Sequence, residues 1–361
     1  MILIRALFFL NSLSGGGAEK VCLTLARRLF ELNIESDFVT VFDRKADYDI
    51  PEYIHVFSLC LKEPFLTRLS MIKLVPKVND FISNKQYILI SAHLQPAYQL
   101  AAFTNAGKKC LYVMHVSQSL DDKKHSRFYK MKLRYFFKNK KIITVSKGLQ
   151  DELNNVYGIC QENITTIYNP CDMFLQKSQK KQRVLHERPY ILIMGRLEEQ
   201  KNPLLALELY YRGSFYNNYD LIYLGKGSLE NTLKRKISAY NMQDFVYLMG
   251  FQKNTESWLV NASLLLSCSR QEGLPLNLIE ALMCGTPVVA ADCPHGPNEI
   301  LVGKLARYLI DPENDLEGSI ATVSCALNYY PIITEEYYIR FDSRLIVKTY
   351  MDVWKKYFGS E

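Results

Sequence analysis

Short runs of aliphatic, β-branched and aromatic residues alternate with segments of helical apolar spacing in two successive series, and one polar stretch separates the series. Such alternation builds strand–helix–strand units, whose crossovers make the strands run parallel and place helices on both faces of a sheet. The first series opens at residues 1–10, read as a buried strand. A turn at 11–17 leads to a helix with Ala18, Val21, Cys22, Leu25, Ala26 and Leu29 on one face. Further strands are expected at 36–42, 87–91, 110–114 and 141–145, then a short helix at 148–155 and a strand at 164–167. Residues 176–188 (QKSQKKQRVLHER) lack apolar periodicity and run into Pro189, which marks a linker. The second series places strands at 190–194, 219–224, 245–248, 263–267 and 287–290, with helices near 202–212, 228–240, 255–261 and 276–284. Leu345, Ile346, Thr349, Tyr350, Val353, Trp354 and Tyr357 recur at helical spacing, predicting a terminal amphipathic helix that must dock on something. The expected architecture is α/β, with two Rossmann-like domains, 1–175 and 189–340, facing each other across a cleft. The linker is 176–188, and a C-terminal helix, 341–361, returns to the first domain.

A chain of 361 residues can bury two full cores, and 48% hydrophobic against 22% charged residues rules out disordered, collagen-like and low-complexity chains. The longest apolar runs, at 263–268 and 287–291, fall far short of the roughly 20 residues that cross a bilayer, so any membrane contact is expected to be peripheral. Arg5 ahead of 6–10 has the outline of a signal peptide, but the apolar block is too short, and a first strand fits better. Nine cysteines, none spaced C-x-x-C and most in apolar runs, read as reduced thiols of a cytosolic protein, with no disulfides and no structural zinc.

The formal charge of +7 is unevenly placed: residues 1–176 carry 23 Lys/Arg against 16 Asp/Glu, and residues 177–361 carry 21 of each. The excess is densest at 123–141 (KKHSRFYKMKLRYFFKNKK), where nine basic and five Phe/Tyr residues occur without one acidic residue. A solvated charged helix and a nucleic-acid patch are the alternatives. Phe128, Met131, Leu133, Tyr135, Phe136 and Phe137 supply more apolar surface than a solvated face needs, so an interfacial helix on an anionic membrane surface is expected, and no nucleic-acid partner. Residues 61–78, with Lys62, Arg68, Lys73 and Lys77 among leucines and Phe65, are either a second membrane contact or core packing.

The most specific local signal is RQEGLPLNLIEALMCGTPVV at 270–289. Glu272 precedes a helix and Glu280 lies eight residues on within it, so both can line one edge of a site. Backbone N–H groups around Gly273, near the helix N-terminus, suit an anionic group. A bare glutamate pair at this spacing is usually a solvated helix; the flanking Gly-Leu-Pro and Cys-Gly-Thr-Pro-Val change that. The segment resembles the E-x7-E motif of retaining GT-B glycosyltransferases of family four. The resemblance extends along the chain through GGGAEK at 15–20, Val145-Ser146, Tyr168-Asn169-Pro170, Gly195-Arg196-Leu197 with Gln200-Lys201-Asn202, and DCPHGPNEIL at 292–301. The last of these is similar to segments in transferases that build O-antigens and other lipid-linked glycans from UDP-sugars.

That resemblance implies an enzyme moving a hexose or N-acetylhexosamine, with retention, from a UDP-sugar to a saccharide acceptor, an undecaprenyl-diphosphate-linked one in surface polysaccharide biosynthesis. It would work in the cytoplasm, peripherally on the inner face of the cytoplasmic membrane. Arg196 and Lys201, after an apolar strand, would neutralise the departing diphosphate, although surface charges of a βα loop are their plain alternative. Glu280 would accept hydrogen bonds from the ribose hydroxyls, Glu272 would contact the transferred sugar, and the backbone of Gly273 and Leu274 would meet sugar or phosphate. The base would lie near residues 250–252. Gly15, Gly16 and Gly17 would let the backbone of the other domain approach the ligand without a Cβ in the way. His115, after the 110–114 strand, matches the family's histidine that contacts the donor sugar; a structural hydrogen-bonder is the other reading, His93 is a weaker candidate, and His295 would bear on specificity.

No cofactor is expected. The dinucleotide pattern G-x-G-x-x-G is absent, since Gly225-x-Gly227 lacks its third glycine, and Asp47-Tyr-Asp49 stands in an early polar loop rather than where a metal-bridged diphosphate would need it. Two rivals stay open: a GT-B UDP-sugar epimerase that needs no acceptor, and a non-catalytic binder of anionic lipid or RNA.

Overall fold

A computed structural model describes residues 4–42, 46–61, 68–117, 126–172 and 186–359. The chain divides into two units, one of residues 1–172 with 341–361, the other of residues 173–340. Most of the expected linker, residues 62 and 65, and 123–125 of the basic stretch lie outside the described residues.

In chain order the first unit contains β1 (Ile4–Leu10), α1 (Gly17–Phe30), β2 (Glu35–Phe42), β3 (Ile54–Leu61), α2 (Arg68–Ile82), β4 (Gln86–His93) and α3 (Ala97–Phe103). It continues with β5 (Leu111–Met114), α4 (Arg127–Phe137), β6 (Lys141–Thr144), α5 (Lys147–Asp151) and β7 (Ile164–Thr166). The seven strands form one parallel sheet in the order β3-β2-β1-β4-β5-β6-β7. β1 is buried along Ala6 to Leu10, which is why its sequence is a continuous apolar run: a parallel strand is covered on both faces. The second unit contains β8 (Tyr190–Met194), α6 (Pro203–Arg212), β9 (Asp220–Leu224), α7 (Glu230–Ala239), β10 (Val246–Leu248), α8 (Glu256–Asn261) and β11 (Leu264–Ser267). After these come α9 (Leu276–Met283), β12 (Val288–Ala291), α10 (Pro297–Ile300), β13 (Leu309–Ile310) and α11 (Leu316–Tyr329). Its parallel sheet has the order β10-β9-β8-β11-β12-β13. Each unit is therefore Rossmann-like.

The last helix, α12 (Ser343–Phe358), packs in the first unit through Ile346, Val347, Tyr350 and Trp354, while Leu345 stays exposed. Trp354 Nε1 donates to the Lys109 carbonyl at 2.7 Å, and Arg28 Nε donates to Ser343 Oγ at 2.7 Å. Two strands that sequence periodicity did not single out, β3 and β13, each lie at one edge of a sheet, and β7 and β10 form the opposite edges.

The basic stretch is not one interfacial helix. α4 ends at Phe137 and Lys141 already belongs to β6. Its apolar surface is also divided. Leu133 and Phe137 are in the core and Phe136 packs on Phe137 at 4.8 Å, whereas Phe128, Met131 and Tyr135 are 71%, 60% and 83% exposed. α2 likewise buries Met71 and Val78 and exposes Lys73 and Lys77. Among the described residues no helix is long and apolar enough to cross a membrane.

Candidate active site

Ligands of open parallel sheets collect at the carboxyl ends of the strands where the strand order reverses. In the second unit that point lies between β8 and β11, and the loops after these two strands carry Arg196, Lys201 and Glu272. The two loops are tied together: Arg270 N donates to the Gln200 carbonyl at 2.9 Å and Gln200 Nε2 to the Gln271 carbonyl at 3.0 Å. Asn277, in the first turn of α9, donates through Nδ2 to the Met194 carbonyl at 2.8 Å and fixes that helix over the end of β8. Lys201 Nζ then meets Glu272 Oε1 at 2.5 Å, with Glu272 buried. The pair is a cation and an acceptor-only carboxylate held where water has limited access, which strengthens both.

Arg196 is more exposed and reaches Gln200 Oε1 at 3.2 Å. Glu280 is buried in α9, and Gly273 and Leu274 are buried just ahead of the helix. The 292–301 loop closes on them. Gly296 has φ of 95°, and a Cβ there would fall 2.8 Å from the Gly273 carbonyl oxygen and 2.7 Å from Pro275 Cδ, so only glycine permits the approach. Cys293 sits in the field of this cluster. Burial first, and then the Glu272 carboxylate, push its thiol up to about 12, so it stays protonated. The 250–252 loop is joined to the same edge, with Gly225 N donating to the Gly250 carbonyl at 2.8 Å and Lys226 packed beside Gly250.

In the first unit the order reverses between β1 and β4. The glycine loop follows β1, His93 ends β4, and His115 follows its neighbour β5. Asn11 holds this edge together: its carbonyl accepts from Phe42 N at 2.8 Å, Oδ1 from Ala97 N at 3.1 Å, and Nδ2 donates to the Gln95 carbonyl at 2.6 Å. Gly16 caps α1 and Gly17 begins it. Gly15 has φ of 42°, and a Cβ on it would lie 2.6 Å from Asp47 Oδ2, while one on Gly16 would meet Glu19 Oε2. Two carboxyl groups therefore crowd the loop, a setting that suits hydroxyl donors better than phosphate.

His115 Nε2 lies 2.8 Å from His93 Nδ1 and the rings stack at 5.1 Å. Burial lowers His115 to about 3 and takes His93 well below its usual value, so both are neutral at ordinary pH. Sequence reasoning named the two histidines separately. Their contact arises from the pairing of β4 with β5, which no local pattern reveals. Asn277, Cys293, Asp47 and Glu19 were also not singled out as parts of the site. Within the second unit the structure brings Arg196, Lys201, Glu272, Gly273 and Leu274 to the carboxyl end of the sheet, with Glu280 buried in the helix that follows, and within the first unit Gly15, Gly16, Gly17 and His115 to the carboxyl end of the other sheet.

The sequence pattern described as Glycosyltransferase Family 4 matches residues 15–173, and the one described as Glycosyl transferases group 1 matches residues 176–324. The chain belongs to the GT-B glycosyltransferases. It is 26% identical to N-acetylgalactosamine-N,N'-diacetylbacillosaminyl-diphospho-undecaprenol 4-alpha-N-acetylgalactosaminyltransferase of Campylobacter jejuni, over 85% of this chain and 86% of that one. An uncharacterized glycosyltransferase of Methanocaldococcus jannaschii is 28% identical over 77% of this chain and 74% of its own. Among solved structures, Anabaena HepE in complex with UDP and glucose matches at a TM-score of 0.76 and 18% identity, covering 98% of this chain and 99% of that chain. This glycosyltransferase therefore shares its whole two-unit architecture with that protein. Among its described residues, no group of three or more His, Cys, Asp and Glu side chains is arranged to hold a metal ion.

Proposed function

We propose that this glycosyltransferase moves a hexose or N-acetylhexosamine from a UDP-sugar, with retention, to a saccharide carried on undecaprenyl diphosphate, in surface polysaccharide assembly. The observation that carries the reading is the Lys201–Glu272 pair at the switch point of the second sheet, with Arg196 in the same loop after β8 and Glu280 buried in α9. Relatives named for undecaprenol-linked acceptors support the acceptor class, and the UDP and glucose bound by HepE support the donor.

In this reading Glu280 accepts from the ribose hydroxyls. Lys201 and Arg196 neutralise the diphosphate as the bond from its oxygen to the anomeric carbon breaks. The ammonium of Lys201 has three donors, so it serves a diphosphate oxygen while still holding Glu272, whose second oxygen accepts from a sugar hydroxyl. The acceptor oxygen bonds to the anomeric carbon on the face the diphosphate leaves, and its proton passes to the departing diphosphate. No metal is required.

The enzyme works against an anionic membrane. On α4 the exposed Phe128, Met131 and Tyr135 form one stripe, with Lys132 and Lys138 on its two flanks, a pattern that places rings among lipids and ammonium groups among head groups.

The test is incubation with a panel of UDP-sugars, with and without undecaprenyl-diphosphate-linked saccharides, in EDTA, followed by mass analysis of lipid and nucleotide products. A lipid product one sugar heavier supports the proposal. An isomerised UDP-sugar without acceptor replaces it with an epimerase, and no turnover of any donor refutes it. A strict need for a divalent ion overturns the metal-free step.

A further inference from the structure

We propose that Ser91 and His93 are positioning residues that hold His115 in the neutral tautomer with its proton on Nδ1, so that it meets its ligand as a hydrogen-bond donor. Ser91 and His93 lie two apart on β4 and so point to the same face of the sheet. Ser91 Oγ is 2.9 Å from His93 Nε2, and His93 Nδ1 is 2.8 Å from His115 Nε2, giving a continuous chain of three side chains. Ser91 and His93 are wholly buried and His115 is 8% exposed. Of the three, only His115 reaches the surface at all.

A neutral imidazole has one N–H and one bare nitrogen, so the chain can run in only two directions. In one, the Ser91 hydroxyl donates to bare His93 Nε2, His93 Nδ1–H donates to bare His115 Nε2, and the His115 proton sits on Nδ1. In the other, His115 Nε2–H donates to His93 Nδ1 and His93 Nε2–H donates to the Ser91 oxygen. The second direction leaves the Ser91 hydrogen without an acceptor, because among the described residues its hydroxyl has no partner except His93. An unpaired buried donor costs more than a hydrogen bond is worth, so the first direction prevails. The burial that keeps both rings uncharged keeps this choice in force across physiological pH.

The consequence for the reaction rests on the proposed function. His115 offers Nδ1–H to a sugar oxygen, while its bare Nε2 is already taken by the His93 Nδ1–H and is not available for the acceptor's proton, which leaves that task to the departing diphosphate. The tautomer itself does not rest on that reading and can be measured on the free protein.

The experiment is long-range 1H–15N correlation on full-length protein with 15N-histidine, with signals assigned by His115→Gln and His93→Gln. The expected result is a protonated Nδ1 and a bare Nε2 on His115. Ser91→Ala removes the donor that sets the direction, so the two tautomers become mixed, and kcat falls by about tenfold with donor KM little changed. Ser91→Thr keeps the hydroxyl and restores both readouts. A wild-type His115 protonated on Nε2, or a tautomer unmoved in Ser91→Ala, overturns the relay. A tautomer that shifts as expected with kcat unchanged supports the relay and instead removes His115 from the reaction.

Discussion

Mild acid should loosen the first unit. His93 and His115 are buried as neutral rings, their pKa values pushed below the ordinary 6.5, to about 3 for His115. A histidine whose folded pKa is depressed binds fewer protons in the native state than in the unfolded one. Its contribution is complete above about 6.5 and is lost as pH falls from there toward the folded value. Each ring that stays neutral while its unfolded counterpart protonates costs up to about 1.4 kcal/mol per pH unit, a slope reached only below 6.5, so the two together remove roughly 3 kcal/mol between pH 6.5 and 5. That is a large share of the 5–15 kcal/mol typical of a domain. Burial raises Asp342, but its hydrogen bonds to Arg344 outweigh that and hold it below its ordinary 3.8, so its own contribution is lost only below that pH. The two tryptophans make the measurement local: Trp354 is in the first unit and Trp258 in the second, and Trp258→Phe leaves one reporter. Urea unfolding of Trp258→Phe at pH 7, 6 and 5 should show the loss, and adding His93→Gln or His115→Gln should reduce the pH slope by about half. An unchanged slope would refute the burial of two neutral rings.

Glu272→Gln keeps the side chain's shape but releases Lys201 from its ion pair, so UDP alone should bind at least as tightly by calorimetry while turnover falls; weaker UDP binding would make Glu272 a nucleotide contact instead. Glu280→Ala should weaken UDP by about 5- to 150-fold, the loss of an acceptor worth roughly 1–3 kcal/mol, and unchanged affinity removes it from the site. Replacing Phe128 and Tyr135 with serine and Lys132 and Lys138 with glutamate should abolish cosedimentation with anionic vesicles and leave UDP binding intact. Arg134 is kept in that variant because its guanidinium donates to the Tyr157 carbonyl and holds α4 in place; equal sedimentation of variant and wild type would reduce the stripe to a solvated surface.

The alternation of apolar runs with helical spacing determined the fold class, because parallel strands covered on both faces must be continuously apolar and their crossovers must be long. The edge strands β3 and β13 escaped that reading. Residues 55–60 of β3 are exposed or half-exposed, and β13 is two residues long, so neither carries the apolar run of a central strand. On the site, the motifs around Glu272, Lys201 and Gly15 were legible because loop chemistry at strand ends is local in sequence. What the side chains do with one another was not. Lys201 and Glu272 are 71 residues apart and became an ion pair only when β8 and β11 were laid side by side. His93 and His115 met only through the pairing of β4 and β5. In the basic stretch, composition placed the charge, but the docking of α4 decided that Leu133 and Phe137 belong to the core and Phe128, Met131 and Tyr135 to the surface. Periodicity specifies which faces are apolar. Which apolar face is covered, and which polar groups share a proton or a charge across strands, is set by the order of the strands, a long-range choice that no window of sequence contains.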